Sequence, residues 1–115
     1  LLMIKSFQFR LTRSLSYCPV FWDHRRTPLM FSSKYGLLGI VDNLLRHGAD
    51  PNVIPKDDSS ATALIAAAVE GHQEVVKLLL RFGADATIKD SKGMTAQMWA
   101  DKQHHTEIVD LLKQN

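Results

Sequence analysis

A chain of 115 residues can form one domain with a modest hydrophobic core but not two independent domains. Its 14 basic and 12 acidic residues give a formal net charge of +2, and the positive excess lies in residues 1–26. The pattern argues against nucleic-acid binding, because residues 27–115 carry no stripe of Lys and Arg interleaved with stacking aromatic residues. No apolar run reaches the roughly 18 residues that a membrane-spanning helix needs.

The N-terminal segment, residues 1–21, matches none of the repeated units that follow it. Its apolar residues have a helical spacing at Ile4, Phe7, Leu11 and Leu15. Phe7, Phe9 and Leu11 also alternate as in a β-strand, so the periodicity leaves both elements open. We expect an irregular cap or the remnant of an upstream repeat, with a disordered tail and a targeting segment as alternatives. The chain begins with Leu1 rather than Met, so it can be a fragment of a longer protein.

Three copies of one unit follow this segment. The stretch "DDSSATALIAAAVEGHQEVVKLLLRFGAD" aligns with "DSKGMTAQMWADKQHHTEIVDLLKQN" at an offset of 33 residues. An earlier copy reads "TPLMFSSKYGLLGIVDNLLRHGADPN", and the connection after it, "VIPKDDSS", is two residues longer than the strict period allows. A fixed period of this length is the mark of a stacked repeat architecture.

The sequence pattern of each unit predicts two short antiparallel helices followed by a turn. Thr27, Thr62 and Thr95 are placed to cap the first helix, and Gly36 and Gly71 are placed to end it. In the second helix, apolar residues recur at a spacing that forms one buried stripe. In the middle copy these residues are Val75, Val76, Leu78 and Leu79, and in the last copy they are Ile108, Val109, Leu111 and Leu112.

These units resemble the ankyrin repeat, through "TPLM", "AAAVEGHQEVVKLLLRFGAD" and "HGADPN" and through the 33-residue period. The resemblance covers residues 22–115 as three repeats, about 22–54, 57–89 and 90–115. It implies an all-α solenoid of stacked antiparallel helix pairs with projecting hairpin loops. It further implies a non-enzymatic, monomeric module without a cofactor, which binds another protein through a concave surface of hairpin tips and first helices. The alternative is a docking or regulatory fragment of a larger enzyme, channel or effector.

The family's geometry also implies which side chains contact the partner. Carried over position by position, they are Asp23, His24, Arg26, Lys34, Tyr35, His47, Asp58, Ser59, Ala61, Val69, Glu70, Phe82, Ser91, Lys92, Met94, Lys102 and Gln103. Among them we favour Tyr35 and Phe82, because exposed aromatic side chains supply much of an interface's binding energy. The resemblance also suggests Asn52 as a site of asparaginyl hydroxylation.

His104 and His105 stand side by side with Glu107 close behind, the raw material of a metal site. His105, however, occupies the position of His72 one repeat earlier, so it belongs to the repeat pattern. His104 replaces Gly71, and we predict that it adopts the left-handed conformation that glycine adopts at lower cost. A zinc site needs three or four ligands that converge on the ion, and the spacing of these residues does not bring that many together. We therefore predict no metal site.

Cys18 is the only cysteine, so no internal disulfide can form, and a reducing cytoplasmic or nuclear setting is favoured. The nearby His24 is a theoretical partner for a nucleophilic thiol. Neither an orienting carboxylate nor an oxyanion donor is predicted beside the pair. We therefore predict no catalysis.

Four residues depart from the expected composition of the repeats. Ser32 and Ser33 stand where the family usually has two alanines, which makes the first unit the least regular. Trp99 lies in the first helix of the last unit, where we expect packing between repeats rather than ligand contact. Gln97 takes the position of Leu64, ordinarily a buried one, and the sequence offers no reason for it.

Overall fold

The computed structural model of the protein describes residues 26–55 and 58–114, and within these ranges it contains six helices and no strands. The helices are α1 (Pro28–Lys34), α2 (Leu38–Arg46), α3 (Ala63–Glu70), α4 (Gln73–Arg81), α5 (Ala96–Lys102) and α6 (Thr106–Lys113). The first helices α1, α3 and α5 pack in an inner row, and α2, α4 and α6 pack in an outer row. The predicted all-α stack of helix pairs is confirmed. Residues 1–21 lie outside the described residues, and the predicted repeat boundaries stay a prediction.

The three inner helices begin at the predicted threonine caps. The side chains of Thr27, Thr62 and Thr95 accept hydrogen bonds from backbone N–H groups three residues further on, at 3.2, 3.4 and 3.3 Å respectively. Each cap satisfies one of the N–H groups that a helix start leaves without a partner. Loss of such a cap costs about 1 kcal/mol.

The core lies between the two rows of helices. Small side chains of the inner row, among them Ala67, Ala96 and Ala100, have no solvent exposure, which brings neighbouring helices close together. The outer row supplies larger side chains, such as Val76 and Leu79, which are also fully buried. Each large apolar side chain buried in this way contributes about 1.5–3 kcal/mol. The apolar stripe predicted for the second helices is the outer row's contribution to this core.

Two histidines link successive helix pairs. The ring of His72 donates through Nε2 to the carbonyl oxygen of Lys34, 2.8 Å away at the end of α1. His105 repeats the contact one unit later, with its Nε2 3.2 Å from the carbonyl oxygen of Val69. Both carbonyls lie at a helix end, where the backbone lacks an intrahelical donor. The equivalent positions of the two histidines therefore reflect a shared contact between repeats.

The same histidine rings explain why glycine follows the inner helices. Gly36 and Gly71 have φ values of 67° and 81°, and a Cβ atom at these residues would lie 2.6 and 2.7 Å from the rings of His72 and His105. Both the backbone conformation and the available space therefore require glycine. His104, at the equivalent position of the last repeat, has a φ of 63°, which confirms the predicted left-handed conformation. It is exposed to solvent.

The two serines of α1 differ in how their hydroxyl groups are satisfied. The Ser32 hydroxyl donates to the carbonyl oxygen of Pro28 at 2.9 Å. The Ser33 hydroxyl is fully buried and has no hydrogen-bond partner. The next repeat has Ala67 and Ala68 at these positions and makes the same helix contact without a buried hydroxyl. Ser33 is therefore a local destabilising feature of the first repeat.

Candidate partner-binding groove

A groove with a volume of about 230 Å³ lies between the hairpin turns and the inner helices, and we call it the inner groove. Its apolar floor includes Ile65, Ala66 and Val69 of α3. Arg26 and Lys34 bring positive charge to its edge. An open apolar trough with charged borders suits a segment of another molecule, because apolar contact supplies affinity while charges orient the ligand.

The structure brings together part of the predicted contact set. Eight of the predicted residues line the inner groove, namely Arg26, Lys34, Ser59, Ala61, Val69, Glu70, Ser91 and Lys92. Another seven do not line it, namely Tyr35, His47, Asp58, Phe82, Met94, Lys102 and Gln103. Asp23 and His24 lie outside the described residues. The role of all these side chains in partner binding stays a prediction.

Trp99 also lines the inner groove, although the sequence suggested only packing between repeats. The ring is half-buried and packs against the core, so it has both roles. Its Nε1 donates to Oδ2 of Asp90 at 2.6 Å. The ammonium groups of Lys92 and Lys102 lie 5.5 and 5.0 Å from the ring centroid, within the range of cation–π attraction. A large aromatic surface is therefore held in a fixed orientation at the groove.

Asp90 holds the last hairpin and the Trp99 ring in place together. Besides the indole, it accepts backbone N–H bonds from Lys92 at 2.9 Å and from Met94 at 3.0 Å. Burial tends to raise the pKa of this carboxyl, but its hydrogen bonds and the Lys92 charge outweigh burial and hold the pKa below its usual value. Asp90 is therefore ionised at neutral pH and acts as a fixed acceptor for the indole.

Neighbouring hairpin tips are joined along the edge of the inner groove. The backbone N–H of Ser91 donates to the carbonyl oxygen of Ser59 at 3.0 Å. Within the last hairpin, Asp90 and Met94 are joined by a backbone hydrogen bond of 3.0 Å. These bonds fix the spacing of the second and third tips, so the groove edge between them is preformed.

The two favoured aromatic residues are exposed but lie outside the inner groove. Tyr35 follows α1 with 55% of its surface exposed, and its ring centroid is 4.7 Å from that of Phe31. Phe82 caps the end of α4 and is 38% exposed. Both side chains are accessible to a partner, but a ligand confined to the inner groove would not contact them.

Asn52, the predicted hydroxylation site, ties the first repeat to the second. Its Nδ2 donates to the carbonyl oxygen of Gly83 at 3.1 Å, and its Oδ1 accepts from the backbone N–H of Asp85 at 2.6 Å. Both polar atoms of the amide therefore take part in contacts between repeats. Hydroxylation at this residue stays a prediction.

The histidine-rich stretch that resembled a metal site has no such geometry. His105 directs its ring toward a backbone carbonyl, while the adjacent His104 is exposed. In the part of the chain that the structure describes, no three side chains of His, Cys, Asp or Glu are grouped to hold a metal ion. None of the described helices has the length and apolar character needed to cross a membrane.

Comparison with known proteins agrees with this architecture. The family model for ankyrin repeats matches residues 29–115 as three copies. Over 91 residues the chain is 36% identical to the inactive serine/threonine-protein kinase TEX14 of Bos taurus, which covers 76% of this chain and 6% of that protein. Over 90 residues it is 43% identical to ankyrin repeat and SAM domain-containing protein 6 of Rattus norvegicus. This match covers 75% of this chain and 10% of that protein.

A third relative is the ankyrin repeat and KH domain-containing protein mask of Drosophila melanogaster. It is 41% identical over 73 residues, which covers 64% of this chain and 2% of that protein. The chain therefore spans a tenth or less of the length of these three relatives.

Proposed function

Because the chain belongs to the ankyrin-repeat family, we propose that it binds a segment of another protein in the inner groove, with a partner side chain packed beside Trp99. Ankyrin repeats are generally protein-interaction modules, and the family is typically non-enzymatic. The observation that supports this particular surface is the Trp99 ring, which lines the groove with its indole N–H bonded to Asp90. Anchored aromatic rings in partly closed pockets are frequent centres of binding energy.

The chemistry of the groove favours binding over catalysis. Its floor of Ile65, Ala66 and Val69 offers apolar contact, and among the described residues no histidine that could activate a serine hydroxyl lines the groove. Asp90 is already committed to three hydrogen bonds that position the hairpin and the indole. The groove therefore contributes shape, apolar area and charge, which are what recognition of a peptide segment requires.

A matched pair of photo-crosslinking variants tests this proposal. The photoreactive residue p-benzoylphenylalanine replaces Lys34, which lines the inner groove, or Lys77, which lies on the outer helix α4. Each full-length variant is irradiated in an extract of the native cells. We expect one discrete protein adduct from position 34 and none from position 77. Ala66→Arg, which places a long side chain in the groove, should abolish that adduct.

Two outcomes would contradict the choice of surface. One is an equal yield of the same adduct from both positions. The other is an adduct at position 34 that persists in the Ala66→Arg variant, since a partner seated in the groove would meet the new side chain.

A second candidate is that these repeats dock or regulate within a larger protein. It is favoured by the relatives, whose names include KH and SAM domains and an inactive kinase. This chain matches only a small part of each of them. Sequencing the full transcript tests it: a reading frame that continues beyond Leu1 into a second domain supports it. A stop codon directly upstream of the segment, with no further domain downstream, would exclude it.

We also propose that the protein is a monomer and that it is located in the cytoplasm or nucleus. The lone thiol, Cys18, is the motivation for the reducing compartment. Imaging of the tagged full-length protein tests the location, and sedimentation of the purified chain tests the monomer. A secreted protein would contradict the proposed location, and a dimer would contradict the proposed monomeric state.

A further inference from the structure

The first repeat exposes an apolar residue that its equivalents in the other repeats bury. Ile40 of α2 is 45% exposed, whereas Val75 and Ile108, at the same position of the second and third repeats, are 2% exposed. The second and third repeats each pack on a preceding helix pair, whereas no described helix pair precedes the first repeat. We call the side of the first repeat that faces away from the second the upstream face.

A second position of the upstream face has also become apolar. Leu37 stands where the later repeats have His72 and His105, and it is 39% exposed. Each of those histidines donates a hydrogen bond to the last carbonyls of the preceding inner helix. A leucine side chain has no donor and cannot make that bond. The upstream face is therefore suited to an apolar cover that does not present a helix-end carbonyl, unlike a further regular repeat.

The last described repeat has a polar outward side, in contrast to the apolar upstream face. On the outward side of the last repeat, polar residues replace the apolar residues of the middle repeat: Gln97 for Leu64, Asp101 for Ala68 and Lys113 for Leu80. A polar outer face keeps an exposed end of a repeat stack soluble, and the outward side of the last described repeat is polar. The upstream face is not, which indicates that something covers it.

We propose that residues 1–21 cover the upstream face as an apolar cap, packing against Leu37 and Ile40. The segment directly precedes the first repeat and supplies four large apolar residues, Ile4, Phe7, Leu11 and Leu15. From the start of α1 to the end of α2 the chain uses residues 28–46, so a 21-residue segment is long enough to cover one repeat's face. The cap is a property of this chain and is independent of the inner groove.

Thiol labelling of the full-length chain tests the cap. In a Cys18→Ser background, a single cysteine is introduced as Ile40→Cys or, as a matched control, Ile54→Cys. Ile54 is 54% exposed in the long connection, so the two sites would react at similar rates if the upstream face were open. With the cap in place, labelling at position 40 should be at least about tenfold slower than at position 54, because it requires local opening.

A further variant shows whether residues 1–21 are the cover. Phe7→Glu combined with Leu11→Glu should raise the labelling rate at position 40 to that at position 54, with far-UV circular dichroism showing that the helices persist. Equal rates at the two sites in the parent background would overturn the proposal. Protection that survives the double substitution, or that increases with protein concentration, would assign the cover to another molecule or to a second copy and would overturn it equally.

Discussion

The middle and last repeats differ at equivalent positions, and the difference follows what lies next to each. Leu64 in the middle repeat is 1% exposed, while Gln97 in the last repeat is half-buried. Gly71 lies under the ring of His105, while the exposed His104 occupies its place one repeat later. Constraints on sequence are therefore strict where one repeat meets the next and relaxed on the outward side of the last described pair.

Exchanging the residues at the buried position is expected to give the largest effect. Leu64→Gln leaves an amide without a partner and a void in the core, so it should lower the free energy of unfolding by about 2–5 kcal/mol. The reciprocal change Gln97→Leu should alter it by no more than about 0.5 kcal/mol, because that position remains partly in water. Urea denaturation of both variants measures the difference, and equal losses would refute the distinction between the two repeats.

Alanine at the glycine position tests the contact beneath the histidine ring. Gly71→Ala places a Cβ atom 2.7 Å from His105 at a positive φ, and should lower the free energy of unfolding by about 1–3 kcal/mol. The matched control is His104→Ala, which introduces no new Cβ and should change stability by less than about 0.5 kcal/mol. Thermal melts compare the two variants. A tolerated alanine at position 71 would mean that the histidine ring moves aside freely.

The first repeat differs from the middle repeat in having two buried serines where the middle repeat has alanines. Ser33→Ala removes a hydroxyl that is fully buried without a partner, and should raise the free energy of unfolding by about 1 kcal/mol. Ser32→Ala is the control, because its hydroxyl is already bonded to a carbonyl. That variant should be neutral or slightly destabilised in urea melts. A gain from both substitutions, equal in size, would show that the hydrogen-bond state of Ser33 is not the cause.

The smallest expected effect concerns the strained histidine. His104→Gly should stabilise the fold by up to roughly 1 kcal/mol, because glycine adopts a positive φ at less cost. The sign of the change in the free energy of unfolding is the informative quantity, because the glycine also gives the unfolded chain more conformational freedom, which lowers stability. Loss of stability in urea melts would show that the His104 side chain makes a compensating contact.

Most of the fold could be predicted because its determinants are local in the sequence. The cap of Thr62, for example, acts three residues away, and the apolar stripe of α4 recurs every three or four residues. The partners of the histidines could not be predicted in the same way. The link between His72 and Lys34 joins residues 38 positions apart, and only the stacking of the helices brings them together.

The candidate site was predicted in part. Family geometry placed eight of the named residues at the inner groove but did not select Trp99. The orientation of that ring depends on Asp90, nine residues earlier, and on two lysines that flank the ring. The signal available in the sequence was an aromatic residue replacing Ala66 of the small-residue inner helix. Packing and binding roles for such a residue cannot be separated until its neighbours are known.

The affinity for the crosslinked partner tests the role of the inner groove most directly. Isothermal titration would compare Trp99→Ala and Trp99→Phe with the double variant Tyr35→Ala and Phe82→Ala. We expect Trp99→Ala to raise Kd by about 30-fold or more, as loss of a central aromatic contact does. Trp99→Phe should retain most of the affinity, and the double variant should weaken binding by less than Trp99→Ala. An unchanged Kd for Trp99→Ala, in a variant that remains folded, would contradict binding in the inner groove.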